Sequence, residues 1–191
     1  MGKNMSMNMS ETQKDQNLAE TMMIDDDDEL QENKYLMCLL GNETYGIKIS
    51  YVTDIIELQK ITAVPDMPDY VKGVINLRGQ VIPIIDLRAR FKMEPREYDD
   101  RTVITVVHIH DALIGFIIDT ATEVQEIPEK DIDPPPVFQG PAVQGPAVQG
   151  RRAQKMYVSG LGKIDSQVII LLDMEALVEE KEAGQLKEAE G

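Results

Sequence analysis

Short apolar runs closed by turn signals recur along this chain from Tyr35 to Leu172, at a spacing of roughly 8–12 residues, and long helical periodicity is missing between them. Tyr35-Leu-Met-Cys-Leu-Leu40 is unbroken and short enough for a buried strand. Gly41-Asn42-Glu43 supplies a turn, and Tyr45, Ile47 and Ile49 alternate along the next segment, which predicts a hairpin. A second hairpin is predicted where Thr102–Ile109 and Ala112–Asp119 flank His110-Asp111, followed by a short strand over Val124–Ile127. The closing strands are expected over Tyr157-Val158 and Ile164–Leu172, with a break at Gly160-Leu-Gly162. Brief helices are predicted at three places. Ser50 is placed to cap one carrying Val52, Ile55 and Ile56, Pro68–Gly73 suits a single turn, and a terminal helix is expected over 174–181. Gly79 divides the stretch Val74–Leu87, and Pro83, lacking an N–H, is expected at a sheet edge or bulge. The sum is all-β, of barrel or sandwich class; a parallel α/β fold lacks its crossover helices.

Charge delimits the folded part. The net charge is −15, of which residues 1–33 hold −7 and residues 175–191 hold −4. The expected organisation is a disordered acidic tail over 1–33, a folded region over 34–178, and a disordered tail over 182–191. Within the folded region, Pro134-Pro-Pro136 and the tandem Gly-Pro-Ala-Val-Gln at 140–149 predict a mobile, extended loop over 134–152. Clustered Lys and Arg for phosphate binding are missing, so nucleic acid is not an expected partner. No apolar stretch approaches the ~20 residues that span a bilayer, and no secretory h-region precedes the fold, so the expectation is a cytoplasmic protein without membrane insertion. The single cysteine, Cys38, excludes an intrachain disulfide.

Chemistry finds little to work with. His108 and His110 share a strand face and could hold two corners of a metal site, but no third histidine exists. Cys38, between Met37 and Leu39, reads as a small core residue rather than a nucleophile. Gly160-Leu-Gly-Lys163 lacks the spacing and the following Ser or Thr of a phosphate loop, and Ser159-Gly160 is not a nucleophile elbow. Neither an enzyme nor a cofactor is expected.

The stretch Gly73-Val-Ile-Asn-Leu-Arg-Gly-Gln-Val-Ile-Pro-Ile-Ile-Asp-Leu-Arg88 resembles the signature of the CheW family, of the form G-V-x-N-L-R-G-x-x-x-P-x-x-D-L-R. Tyr45-Gly-Ile with Val52, Asp54 and Ile55 resembles an upstream block, and Gly115–Asp119, Val124 and Gly160–Gly162 resemble later ones. The resemblance covers roughly residues 34–178. It implies two side-by-side SH3-like five-stranded barrels, here expected over about 35–90 and 91–173, with short helices. It also implies a chemotaxis adaptor, recruited to arrays at the inner face of the membrane, that couples the cytoplasmic tip of chemoreceptors to the regulatory domain of the histidine kinase CheA.

Carried over position by position, the implied receptor groove comprises Val52, Asp54, Ile55, Arg78, Val103 and Val124, with ordinary core packing as the competing reading of the four apolar residues. Asp54 stands where the family usually has Glu, and an Asp54–Arg78 ion pair is expected. Val64, Pro65, Pro68 and Lys72 are the candidate kinase face. Gly73, Asn76 and Gly79 are read as backbone devices. The duplicated Gly-Pro-Ala-Val-Gln loop and the acidic tails have no family counterpart. Two other readings stay open: an adaptor for a receptor–kinase pathway that does not control motility, and a small-molecule (purine) binding protein.

Overall fold

A computed structural model of the chain describes residues 31–135 and 157–179. Most of the expected tails and of the Pro/Gly loop lie outside the described residues, but residues 31–33, expected in the disordered tail, are ordered: Gln31 O accepts from Lys34 N at 3.2 Å and Asn33 O from Ile127 N at 2.8 Å, which ties them to β1 and to Ile127. The rest is all-β, in two sheets of order β8-β1-β2-β11-β10-β9 and β3-β6-β7-β5-β4. The first holds β1 (Lys34–Leu40), β2 (Glu43–Lys48), β8 (Thr120–Glu126), β9 (Ile132–Asp133), β10 (Val158–Ile164) and β11 (Gln167–Leu172). The second holds β3 (Val52–Glu57), β4 (Val71–Leu77), β5 (Gln80–Asp86), β6 (Val103–Ile109) and β7 (Ala112–Ile118). Neither described sheet is closed edge to edge by backbone pairing, so the expected barrels are seen as two open sheets.

Three apolar clusters explain the unbroken runs in the sequence. Leu36, Cys38, Leu40, Tyr45 and Ile47 from the first sheet meet Val107, Ile109, Ile114, Phe116 and Ile118 from the second in one shared cluster. The opposite face of the second sheet buries Ile75, Ile82, Ile84, Ile104, Val106 and Ile117, and that of the first buries Tyr35, Met37, Ile127, Ile169 and Leu171. Strands covered on both faces need apolar residues at every position rather than at alternate ones.

The chain repeats one element order. Residues 34–90 run hairpin, third strand, hairpin, helical turn (Leu87–Arg90), and residues 103–179 do the same, ending in the helix Met174–Glu179. Gln80-Val-Ile-Pro-Ile-Ile-Asp-Leu87 corresponds to Gln167-Val-Ile-Ile-Leu-Leu-Asp-Met174. Each second hairpin shifts register at the same place, between Val71 and Gly73 and between Val158 and Gly160. Each is fastened alike, with Asp86 N donating to Tyr70 O and Asp173 N to Tyr157 O, both at 2.8 Å. β5 runs parallel to β7, and β11 parallel to β2. Where the halves meet, the Arg90 guanidinium lies 4.5 Å from the Tyr70 ring centre and 4.6 Å from that of Tyr157.

The halves also trade strands. β3 leaves the first hairpin to pair with β6, and β8 leaves the second to pair with β1. The division expected near residue 90 therefore separates the two copies of the repeat and not the two sheets, since β5 and β6 share a sheet.

Four local expectations are corrected. The helix expected from Ser50 is a single 3₁₀ turn, Ile49–Tyr51, without a side-chain cap, and Val52, Ile55 and Ile56 lie on β3. Pro68–Gly73 is not helical: Pro68 O accepts from Val71 N at 2.9 Å and β4 starts at once. The Gly160–Gly162 pair does not break β10, because a Cβ would come within 2.9 Å of Ile132 at Gly160 and 2.8 Å of Ile127 at Gly162. These glycines admit neighbours rather than end a strand. Pro83 lies on an interior strand, not on an edge or at the register shift. Val74, opposite Pro83, exchanges both backbone hydrogen bonds with Thr62, so the Val74–Pro83 pair is of the non-hydrogen-bonded kind and β4 requires no donor from Pro83.

Candidate functional site

The sequence motif with the most internal constraint, Asn76–Gly79, is the turn joining β4 to β5. Leu77 pairs with Gln80, leaving Arg78 (φ 51°) and Gly79 (φ 86°) as the two central residues. Two positive φ values in a two-residue hairpin are the type I′ requirement. Gly79 meets it freely; Arg78 is held there against a strain of about 1–2 kcal/mol. Asn76 Oδ1 accepts from Gly79 N at 2.8 Å, which fixes the turn. Gly73 is required for another reason. At φ 138°, a Cβ there would sit 2.0 Å from the Thr62 carbonyl oxygen.

The turn aims Arg78 at β3. Its Nη2 donates to Asp54 Oδ2 at 3.0 Å, while Asp54 Oδ1 accepts from Ile55 N at 2.9 Å. The Arg78 side chain is 78 % exposed and that of Asp54 28 %. An ion pair so exposed contributes about 0–1 kcal/mol to stability. Its local effect is to hold a strained, solvent-facing guanidinium in one place.

The four apolar candidates lie elsewhere. Paired residues share a sheet face. Val52 is opposite Val107, Val103 opposite Ile118, and Val124 opposite Leu36, all three partners belonging to the shared cluster; Ile55 is opposite Thr105 on that same face. Val52 and Val103 are half-buried against that cluster, whereas Ile55 is 42 % and Val124 48 % exposed at its rim. Asp54, opposite Val106 in the second sheet's own cluster, faces the other way. The six candidates are thus split by β3: four border the seam between the sheets, and the charged pair stands behind it. Ile55 and Val124 hold equivalent positions in the two halves, each on the exchanged strand.

Of the candidate kinase residues, Val64, Pro65 and Pro68 occupy the connection from β3 to β4, and Lys72 lies at the start of β4. Val64 and Pro68 are half-buried, Pro65 is exposed, and Lys72 Nζ donates to Asp69 O at 3.1 Å.

One charged cluster had no role assigned from the sequence, although Asp86, Arg88 and Asp119 belong to the family blocks. Arg88 grips Asp119 in a two-pronged pair, Nε to Oδ1 at 2.7 Å and Nη2 to Oδ2 at 2.6 Å. Gly41 N and Arg96 also donate to Asp119, and Tyr98 donates to Asp86 at 2.7 Å. Burial pushes the Asp119 carboxyl up, but Arg88 and the Gly41 N–H outweigh it and hold it below the ordinary range. Nearby, the Arg101 guanidinium brings Asp99 down to about 2. This clasp joins the end of β7, the β1–β2 turn and the connection between the halves. Only folding brings Arg88 to Asp119, so spacing gave no signal for it. Burial pushes the Cys38 thiol up to about 12, as suits a core residue. Among the described residues, no three of His, Cys, Asp and Glu come together as a metal-holding set, and no helix is long and apolar enough to cross a membrane.

The family model for the CheW-like domain matches residues 34–182. The chain is 34 % identical to the chemotaxis protein CheW of Klebsiella aerogenes over 149 residues, which is 78 % of this chain and 83 % of that one. It is 31 % identical to the probable chemotaxis protein CheW of Rhizobium etli over 144 residues, covering 75 % and 86 %. Among solved structures it resembles the scaffolding protein TtCheW of Thermoanaerobacter tengcongensis, with a TM-score of 0.66 and 32 % identity, over 78 % of this chain and 94 % of that one.

Proposed function

The chain belongs to the CheW-like domain family, and from that premise we propose that it is a chemotaxis adaptor coupling the cytoplasmic tip of chemoreceptors to the regulatory domain of the histidine kinase CheA, without turnover of its own. It works in the cytoplasm, at receptor arrays on the inner face of the membrane. The receptor seat lies along the seam between the sheets, where Ile55 and Val124 supply exposed apolar contact and Val52 and Val103 its half-buried floor. Asp54 and Arg78 supply a fixed charge at its border. The kinase face is the loop bearing Val64, Pro65 and Pro68 together with Lys72 at the start of β4, where proline limits the entropy lost on docking.

The observation that carries this reading is the Asp54–Arg78 pair. It adds little to stability, yet the hairpin turn and the pair hold the Arg78 guanidinium in solvent behind the seam that Ile55 borders. An exposed guanidinium fixed by a pair that adds little to stability supports a surface used by another molecule. Isothermal titration of a receptor-tip fragment tests it. Arg78→Ala is expected to weaken receptor binding about tenfold or more while leaving the thermal transition within a degree or two and kinase binding unchanged. Unchanged receptor affinity in that variant would remove Arg78 from the site. Single interfaces of this size are expected to be micromolar, with strength in the array coming from many at once.

A further inference from the structure

The two halves differ in what covers the aspartate that opens each helical turn. In the first, the connection that follows the helical turn Leu87–Arg90 folds back over it: Tyr98 Oη donates to Asp86 Oδ2 at 2.7 Å, and Arg88 Nη1 donates to the carbonyl oxygen of Glu94 at 2.9 Å. Asp86 uses its other oxygen to cap the turn, accepting from Arg88 N and Ala89 N. In the second half Asp173 stands where Asp86 stands, and Glu175 where Arg88 stands. Asp173 Oδ1 caps the helix through Ala176 N at 3.0 Å. Its Oδ2, the counterpart of the oxygen that takes Tyr98, has no partner among the described residues.

Over this spot lies an open cleft of about 590 Å³, bordered by Glu32, Glu129, Asp173 and Glu175, with Lys48 and Tyr51. The field in it is negative. The Tyr35 phenol on its wall is pushed up by burial and by Glu129, and that of Tyr51 by burial and by its bond to Glu175 at 2.9 Å.

We propose that this cleft is a docking site for an extended basic segment of a partner protein that carries a tyrosine, whose hydroxyl meets Asp173 as Tyr98 meets Asp86. The tyrosine comes from the chain itself, which seats a tyrosine-bearing connection on the matching surface of its other half. The charge decides whose segment it is. Residues 180–191 follow the helix as the connection follows Arg90, but they hold four acids against two lysines and no Ser, Thr or Tyr. Residues 1–30 carry eight acids against two lysines. Residues 136–156 are basic, with Arg151, Arg152 and Lys155, but contain no hydroxyl-bearing side chain. A partner segment that is both basic and tyrosine-bearing meets both demands.

The test is an NMR titration of the full chain, at low salt, with a synthetic peptide of alternating arginine and glycine around a central tyrosine. Saturable shifts are expected at Lys48, Tyr51, Ser159, Asp173 and Glu175. The Glu129→Gln/Glu175→Gln variant is expected to bind about tenfold more weakly, as is the peptide with phenylalanine for tyrosine, by about fivefold. A glutamate-for-arginine peptide is expected not to bind. Shifts scattered over the acidic surface, or equal binding by the double variant or by the phenylalanine peptide, would overturn the proposal. So would a tenfold gain in affinity on deleting residues 136–156, which would assign the cleft to the chain's own basic stretch. Arg78→Ala leaves this titration unchanged, so it stands or falls apart from the receptor seat.

Discussion

Removing the Asp119 carboxylate tests whether the clasp between the halves is a determinant of stability. Its pair with Arg88 is two-pronged and nearly enclosed, with side-chain exposures of 13 % for Arg88 and 10 % for Asp119. Asp119→Ala leaves the Arg88 guanidinium with no carboxylate at those two donors and frees Gly41 N from its bond at 2.8 Å. Breaking one side of a buried pair costs about 3–5 kcal/mol, which for a chain of this length lowers Tm by roughly 10 °C. Adding Arg88→Met removes the stranded charge and is expected to return about 2 kcal/mol, so the cycle is non-additive. The sign with pH is fixed. Asp119 is held below its ordinary value in the folded chain, so its contribution is fully present above the unfolded value of about 3.9 and fades as pH falls through the lower folded one. Urea denaturation followed by circular dichroism, from neutral pH down to about pH 3, measures all of this. A single-variant loss under about 1 kcal/mol, an additive cycle, or a wild-type advantage that grows in acid would refute the reasoning.

Two glycines separate strain from collision. Gly73→Ala, aimed at the Thr62 carbonyl, is expected to cost about 3 kcal/mol or more in chemical denaturation, whereas Gly79→Ala, with open space around it, costs only the positive-φ strain of about 1–2 kcal/mol. Cys38, buried and with its thiol pushed up to about 12, is expected to resist iodoacetamide at pH 8 until denaturant is added, as read by mass spectrometry. Val124→Asp, at the seam's exposed rim, is expected to abolish receptor-tip binding in the same titration that tests Arg78 while shifting Tm by no more than a few degrees.

The hairpins could be read from the sequence because turn chemistry and apolar runs are local. The Asp54–Arg78 pair came from the family resemblance, and the structure brings the two side chains to 3.0 Å. The helix assigned to Val52, Ile55 and Ile56 shows where local reading fails. β3 shifts register between Val52 and Asp54, so the extra residue, Thr53, converts a two-residue period into a spacing that imitates 3.6. Gly160 and Gly162 misled for the complementary reason: their purpose is to admit Ile132 and Ile127, which lie about thirty residues upstream. The repeat itself is faint in sequence because it survives mainly in one Gln-Val-Ile triplet, in two aspartates and in register, while the turns differ: Gly41-Asn42 against His110-Asp111, and Arg78-Gly79 against Asp165-Ser166. Arg88 with Asp119, and the cleft beside Asp173, need the assembled sheets before they exist.

The trading of strands also sets an order of events during synthesis. β3 to β7 are contiguous in the chain, so the second sheet has all its strands once Ile118 has left the ribosome. The first hairpin has to wait: Leu36 meets Val124, and Tyr45 meets Ile170. At 5–20 residues per second that delay is roughly ten seconds. Over that interval Leu36, Cys38, Leu40, Tyr45 and Ile47 can already meet Val107 to Ile118 of the second sheet, but the β1 and β2 edges still lack their partners. The crossing that ties the finished halves together is thus also what makes the first sheet the later of the two to be completed.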